Sequence, residues 1–129
     1  MTSGEFTPPF DSSDHLAHAI AELAIEKKAS GVSILDVRKQ TSITDFFIIC
    51  SGNSDVHVKA ICDSIQKELK PLTKPWHTEG VDNRRWVLLD YVDVVVHIFL
   101  EEVRDYYQLE RLWADAETEM VKAEAKTEE

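Results

Sequence analysis

Apolar positions along the chain recur with two different periods, and the change between them marks the elements. After a polar start, "DHLAHAIAELAIEKKAS" repeats at helical spacing, with Leu16, Ala19, Ile20, Leu23 and Lys27 on one face. Ser12 or Ser13 is placed to cap this helix, and Gly31 to supply a left-handed stop. "VSILDVR" and "DFFIICS" are β-branched or aromatic runs of strand length, separated by the polar "KQTSIT", and read as adjacent strands. Helical spacing returns in "DVHVKAICDSIQKELK", where Val58, Ile61, Cys62, Ile65 and Leu69 recur behind a Ser54 cap until Pro71 ends the run. "PLTKPWHTEG" holds two prolines and predicts a loop with a short strand. "RRWVLLDY" and "DVVVHIFL" are the strongest strand pair in the chain. "EEVRDYYQLERLW" predicts a last helix with acids in its first turn and Val103, Tyr106, Leu109 and Trp113 in one stripe.

The order α-β-β-α-β-β-β-α predicts an α/β (α+β) domain, a mixed sheet of about five strands flanked by helices. Its expected span is residues 12–115. Residues 1–11, with Pro8 and Pro9, read as a flexible arm, and residues 116–129 as an acidic, disordered tail.

Period-two alternation gives the strand pair two unlike faces. Setting Asp90 opposite Asp93 pairs Leu88 with Val95 and Trp86 with His97. One face carries Val87, Leu89, Tyr91, Val94, Val96, Ile98 and Leu100, and should pack on helices. The other carries Trp86, Leu88, Asp90, Asp93, Val95, His97 and Phe99, a mixture that fits either a second, partly covered core layer with His97 hydrogen-bonded inside, or an exposed protein-binding patch with an aromatic anchor.

Charge narrows the partners. The 129 residues carry a net −10, of which −2 falls in residues 1–11 and −3 in residues 116–129, leaving −5 in the middle. No basic cluster exceeds Lys27-Lys28 or Arg84-Arg85, so direct nucleic-acid binding is disfavoured and a basic partner protein favoured. Cys50 and Cys62, in different elements, form no disulfide framework and read as buried thiols in a reducing compartment. No apolar run approaches the ~20 residues that cross a bilayer, and the start has neither the arginines of a transit peptide nor the apolar core of a signal peptide; a cytoplasmic protein is expected.

"FIICSGNSD" has the strand-turn-helix form of many phosphate sites, whose helix N-terminal amides can hold an anion. One glycine and no following Lys-Ser/Thr match neither GxxxxGK[ST] nor GxGxxG, and a tight turn accounts for the segment. Asp90 and Asp93 are the obvious carboxylates for a metal-assisted transfer, but they flank a turn, where aspartate is favoured for local reasons. His15 and His18 share a helix face without a third ligand at a recognised spacing. No nucleophile motif is present. No cofactor, metal or catalytic residue is expected; a nucleotide-binding or nucleotidyltransferase-like enzyme is the alternative.

Four blocks, "SITDFFIICSGNSDVHVKAI", "EG" at Glu79-Gly80, "WVLLDYVDVVVHIF" and "RDYYQLERLW", occur in the order and spacing of the ribosomal silencing factor (Iojap-like) family, and the resemblance covers residues 14–115. It implies a nucleotidyltransferase-like fold without the catalytic acids, and no enzymatic role. It further implies binding to the large ribosomal subunit through the ribosomal protein at the subunit interface, the fourteenth of the large-subunit series. Occupancy there blocks joining of the small subunit and represses translation under nutrient limitation; organellar relatives assist ribosome assembly. The family's tryptophan, aspartates and histidine correspond to Trp86, Asp90, Asp93 and His97, and its arginine and aromatic motif to Arg104, Tyr107, Leu109, Glu110, Leu112 and Trp113. With the resemblance, the mixed face is expected to be the partner surface: Trp86, Leu88 and Phe99 as apolar anchors, Asp90 and Asp93 as acidic neighbours, His97 beside Trp86. Two positions depart from the pattern. Val92 stands where the family has glycine, so a loop wider than a two-residue turn is expected, and Val56 stands where it often has arginine. An exposed apolar sheet or helix face could also support a homodimer.

Overall fold

A computed structural model describes residues 12–122. In chain order the elements are α1 (Ser13–Glu26), β1 (Ser30–Asp36), β2 (Phe46–Gly52), α2 (Asp55–Leu69), β3 (His77–Glu79), β4 (Trp86–Asp90), β5 (Val94–Leu100), α3 (Glu101–Tyr107), α4 (Leu109–Leu112) and β6 (Glu117–Met120). The six strands form one mixed sheet, ordered β3-β4-β5-β2-β1-β6, in which β2 and β5 are parallel and the other neighbours antiparallel.

Helices α1 and α2 cover one face. All five residues of the expected α2 stripe are buried, and the Ser54 side chain caps the helix by accepting from the His57 amide. Leu16, Ala17, Ile20, Ala21 and Ala24 are the buried residues of α1, capped by Ser12. Its small alanines let it lie close to the sheet, so the buried stripe is centred on Ala17 and Ala21 rather than on Ala19 and Leu23. The strands contribute Val32, Ile34, Phe46, Ile48, Cys50, Val87, Leu89, Val94, Val96 and Ile98 to this core, and the loop between β4 and β5 adds Tyr91. Each large aliphatic side chain fully removed from water stabilises the fold by roughly 1.5–3 kcal/mol. The apolar face of the β4–β5 pair is therefore packed on helices, as its alternation predicts.

A second, smaller core lies on the opposite face: Leu35, Val37, Ile49, Phe99, Val103, Leu109 and Ala116, with Phe47, Trp86, Leu100 and Trp113 packed around them. Helices α3 and α4 build its cover.

Four local readings are corrected. Gly31 does not stop α1: Lys28 takes the left-handed conformation just beyond that helix, and Gly31 sits at a bulge in β1, where an added Cβ would come within 2.7 Å of Arg104 Nη1. The expected last helix is broken by Gln108, left-handed at φ 49°, and Tyr106, in the last turn of α3 before the break, is exposed while Val103 and Leu109 are buried. The sheet has a sixth strand: Glu117–Met120, inside the segment expected to be disordered, pairs with β1, and Val121 N donates to Val32 O at 2.8 Å. Backbone pairing at a sheet edge needs no apolar side chains, so a hydrophobic pattern does not announce it. Finally, the β4–β5 register is displaced by two residues, as described below. The arm expected over residues 1–11 and the tail beyond residue 122 lie outside the described residues.

Candidate functional site

Strand pairing sets the geometry of the mixed face. Trp86 lies opposite Phe99, Leu88 opposite His97 and Asp90 opposite Val95, two residues away from the register that an Asp90–Asp93 pairing gives. A two-residue slip keeps every side chain on its face, so the division into apolar and mixed faces survives. The slip arises because β4 and β5 are joined by Tyr91, Val92 and Asp93, a loop wider than two residues. Even so, Val92 holds φ at 76°, and Asp93 N donates to Tyr91 O at 2.9 Å, a γ-turn centred on valine. Asp90 steadies the turn by accepting from Val92 N at 2.8 Å. Asp93 anchors it through its backbone carbonyl, which accepts from the amides of Asp45 and Phe46 at 2.9 and 3.1 Å.

The mixed face divides lengthwise. Its β5 half is buried: Phe99 is fully covered, and His97 and Val95 retain only 5% and 9% of their exposure. Its β4 half is open, with Trp86, Leu88 and Asp90 each partly exposed, and the exposed β3 continues it, pairing His77 with Asp90 and Glu79 with Leu88. Phe99 is thus not an exposed anchor. It is the floor beneath one, its ring 4.8 Å from that of Trp86. Tyr107 lies 5.0 Å from the same indole, and the indole Nε1–H donates to His97 Nδ1 at 3.0 Å. That bond fixes the neutral His97 ring with its proton on Nε2, which is buried without a hydrogen-bond partner among the described residues. Burial pulls the His97 pKa down from 6.5 to about 4. Trp86 is held by its polar end from within and keeps part of its surface in water, the arrangement of a rigid interface anchor. Trp76, exposed beside the acidic turn with its backbone amide donating to Asp90 O at 2.7 Å, adds an aromatic group that the loop-like "TKPWH" gave no reason to single out.

The strand-turn-helix segment uses its own amides. His57 N donates to Ser54 Oγ, Asn53 N to His57 Nδ1 at 3.0 Å, and His57 Nε2 bonds Lys27 O at 2.7 Å. Gly52 is needed for close approach, since a Cβ there would meet Val58 N at 3.0 Å. At the carboxyl ends of the parallel strands β2 and β5, where open α/β sheets commonly bind ligands, Arg104 fills the space. Its Nη1 reaches Ser51 Oγ at 2.9 Å and its Nε reaches Glu110 Oε2 at 2.8 Å. Burial pushes the Cys50 thiol up to about 12 and raises Cys62 as well, so neither is an activated nucleophile. His18 is held between Asp14 O and Glu119 Oε1, both at 2.9 Å, and among the described residues no group of three or more His, Cys, Asp or Glu is arranged to hold a metal.

Comparison with known proteins places this arrangement. Residues 10–129 match the family described as "Ribosomal silencing factor during starvation". The chain belongs to the ribosomal silencing factor family. A ribosomal silencing factor of Halalkalibacterium halodurans is 40% identical over 114 residues, which cover 83% of this chain and 92% of that protein. A crystal structure of a Bacillus halodurans protein superposes with a TM-score of 0.72 at 35% identity, covering 84% of this chain and 99% of that one. The mouse protein named "Mitochondrial assembly of ribosomal large subunit protein 1" is 32% identical over 98 residues, 73% of this chain and 43% of that protein. The resemblance read from the four sequence blocks therefore holds.

Within that family frame, the "RDYYQLERLW" motif does two jobs. Arg104 and Glu110 lock α3 to α4 and to the strand ends, Leu109 fills the second core, and Trp113 meets the Phe47 ring edge-on at 5.0 Å. Tyr107 supports Trp86, while Leu112 is exposed. The motif chiefly builds the cover over the β5 half of the mixed face, while Trp86, Leu88 and Asp90 of the β4 half stay partly exposed. Among the described residues, no helix is long and apolar enough to cross a membrane.

Proposed function

We propose that the protein is a non-enzymatic silencing factor that docks the open β4 half of its mixed face on a basic ribosomal protein at the interface of the large subunit, the fourteenth of that series. Occupancy of that position keeps the small subunit from joining and represses translation in the cytoplasm, most of all under nutrient limitation. The observation that carries this reading is the immobilised, partly exposed Trp86, flanked by Leu88 and by the acids Asp90 and Asp93 at the turn. Support comes also from the relatives, named as ribosomal silencing factors and, in mouse mitochondria, for assembly of the ribosomal large subunit. A negatively charged protein whose helix-start amides are already bonded suits a basic protein partner better than a phosphate ligand. His97 and Phe99 contribute from below, by fixing Trp86.

Co-sedimentation with purified large subunits tests the docking surface. Wild type should pellet with the subunits, and Trp86→Ala and Asp90→Lys, shown to be folded, should remain in the supernatant. Folded variants that pellet as well as wild type would rule this face out. A subunit-joining assay tests the mechanism, since steric blocking makes inhibition track the bound fraction.

A further inference from the structure

Beside Trp86, between the β3–β4 loop and α3, the surface opens into a cavity of about 630 Å³. Its aromatic wall is Trp86, Tyr106 and Tyr107, and charged groups stand on its two sides, Glu102 from α3 and Arg85 from the strand entrance. Tyr107 lies 5.0 Å from Trp86 at 47°, and Tyr106 stands perpendicular to Tyr107, also at 5.0 Å. Three rings inclined to one another present π-faces in several directions around one space. Because the Trp86 N–H is turned inward to His97, the ring contributes its face and not its donor.

We propose that this cavity is an aromatic cage for one arginine side chain of the basic partner; the proposal rests on the docking reading above and extends it beyond the acidic turn. A guanidinium is planar, weakly hydrated and attracted to the negative faces of indole and phenol rings, and a carboxylate at the rim can accept its N–H groups. Glu102 is available for this. Glu101, its neighbour, is bonded to Ser30 Oγ at 3.1 Å, and Arg104, the cation on the same helix, is neutralised by Glu110. Arg85 is exposed and, among the described residues, makes no ion pair with Glu102, so the carboxylate is not already satisfied across the cavity. The charge complementarity is that of an acidic chain, net −10, toward a basic protein.

The two rim charges give the proposal a test of sign. In the full chain, N-acetylarginine amide is titrated while the Trp86 indole N–H signal is followed by NMR, assigned by its absence in Trp86→Phe. A saturable shift is expected with arginine and none with the neutral isostere N-acetylcitrulline amide. Glu102→Gln should weaken arginine binding about fivefold, and Arg85→Ala, which removes a like charge, should tighten it. No saturable shift, or a shift by N-acetylglutamate amide that Arg85→Ala abolishes, overturns the cage. Tyr106→Ala, which alters an exposed side chain, should weaken large-subunit binding about fivefold. Equal sedimentation of Tyr106→Ala and wild type overturns the assignment to the partner even where the arginine shift is present. Failure of wild type itself to sediment overturns the docking reading, while the arginine titration still decides whether the cage binds its cation.

Discussion

The two halves of the mixed sheet face differ in what lies above them. Over β5 and β2, helices α3 and α4 close a second core in which Phe99 is fully buried and His97 nearly so. Over β4 and β3 none of the described residues closes the sheet, and Trp86, Leu88 and Asp90 keep part of their surface in water. The residue types on the two halves are alike, apolar groups interleaved with polar ones at period two. What separates them is the extent of the cover: Val103 of α3 and, beyond the left-handed Gln108, Leu109, Trp113 and Ala116 join the second core. A mixed face can thus be core and docking surface at once, the buried half supplying the stiffness that the open half needs to present Trp86 in one orientation.

The largest expected effect is the one that would break this division. Phe99→Ala should cost about 3–5 kcal/mol of unfolding free energy, from lost transfer energy and a residual cavity, whereas the partly exposed Leu88→Ala should cost about 1 kcal/mol. Urea denaturation at neutral pH measures both. Equal losses would mean that the open half is as much core as the covered half.

Acidification comes next, acting through His97. Its folded pKa, about 4, lies below its ordinary 6.5. Above pH 6.5 neither state carries the proton and the native state has its full stability. As pH falls from 6.5 toward 4 the unfolded chain takes up a proton that the folded ring refuses, so stability falls, by up to about 3 kcal/mol over the window. Urea titrations at pH 7 and pH 4.5 should show this fall in wild type, and His97→Gln should lose that part of it. His18, whose pKa is raised by the Asp14 carbonyl and the Glu119 carboxylate, works in the opposite sense, since its contribution is present below its unfolded pKa and lost as pH rises through the folded one. A His18→Gln background, which removes this titration altogether, isolates the His97 effect.

Much of this was legible in the residues, and the illegible parts have physical causes. Amphipathic α2 could be read position by position because one stripe meets one core. The two faces of the β4–β5 pair were legible for the same reason, and they survived a register wrong by two because side chains alternate with period two. The division of the mixed face was not legible: whether Phe99 or Leu88 is covered depends on where a helix elsewhere in the chain stops, and Gln108, a residue with no marked preference for the left-handed region, gives no warning of that. β6 was hidden because an edge strand held by backbone bonds can consist of exposed side chains, here Glu117, Thr118, Glu119 and Met120. The aromatic wall of the cavity was masked by the stripe assigned to Tyr106, which in α3 is exposed.

On the open half, the acids should matter for binding and little for the fold. Asp90→Asn keeps an acceptor for the Val92 amide and removes the charge, so stability should change by less than about 1 kcal/mol while large-subunit binding weakens about tenfold, more steeply at low salt. Thermal melts beside sedimentation at two salt concentrations separate the two effects. A salt-independent loss would assign Asp90 to turn geometry alone.

The smallest effect sharpens the comparison at the edge of the docking surface. Val92 sits at φ 76°, a conformation that a β-branched side chain adopts only under strain of about 1–3 kcal/mol. Val92→Gly removes the strain but adds backbone freedom to the unfolded chain worth about 0.4–1 kcal/mol. The net result should be a stability gain of about 1 kcal/mol, read as an upward shift in melting temperature. The γ-turn and the Asp90 bond to residue 92 involve only backbone atoms of that residue, so glycine can keep both. Binding then separates two roles for the valine. Unchanged affinity with higher stability would mean that Val92 is carried at a cost without contributing to docking. A gain in stability with a loss of affinity would mean that its exposed side chain is itself a contact at the edge of the open half, and that the strain is retained for it.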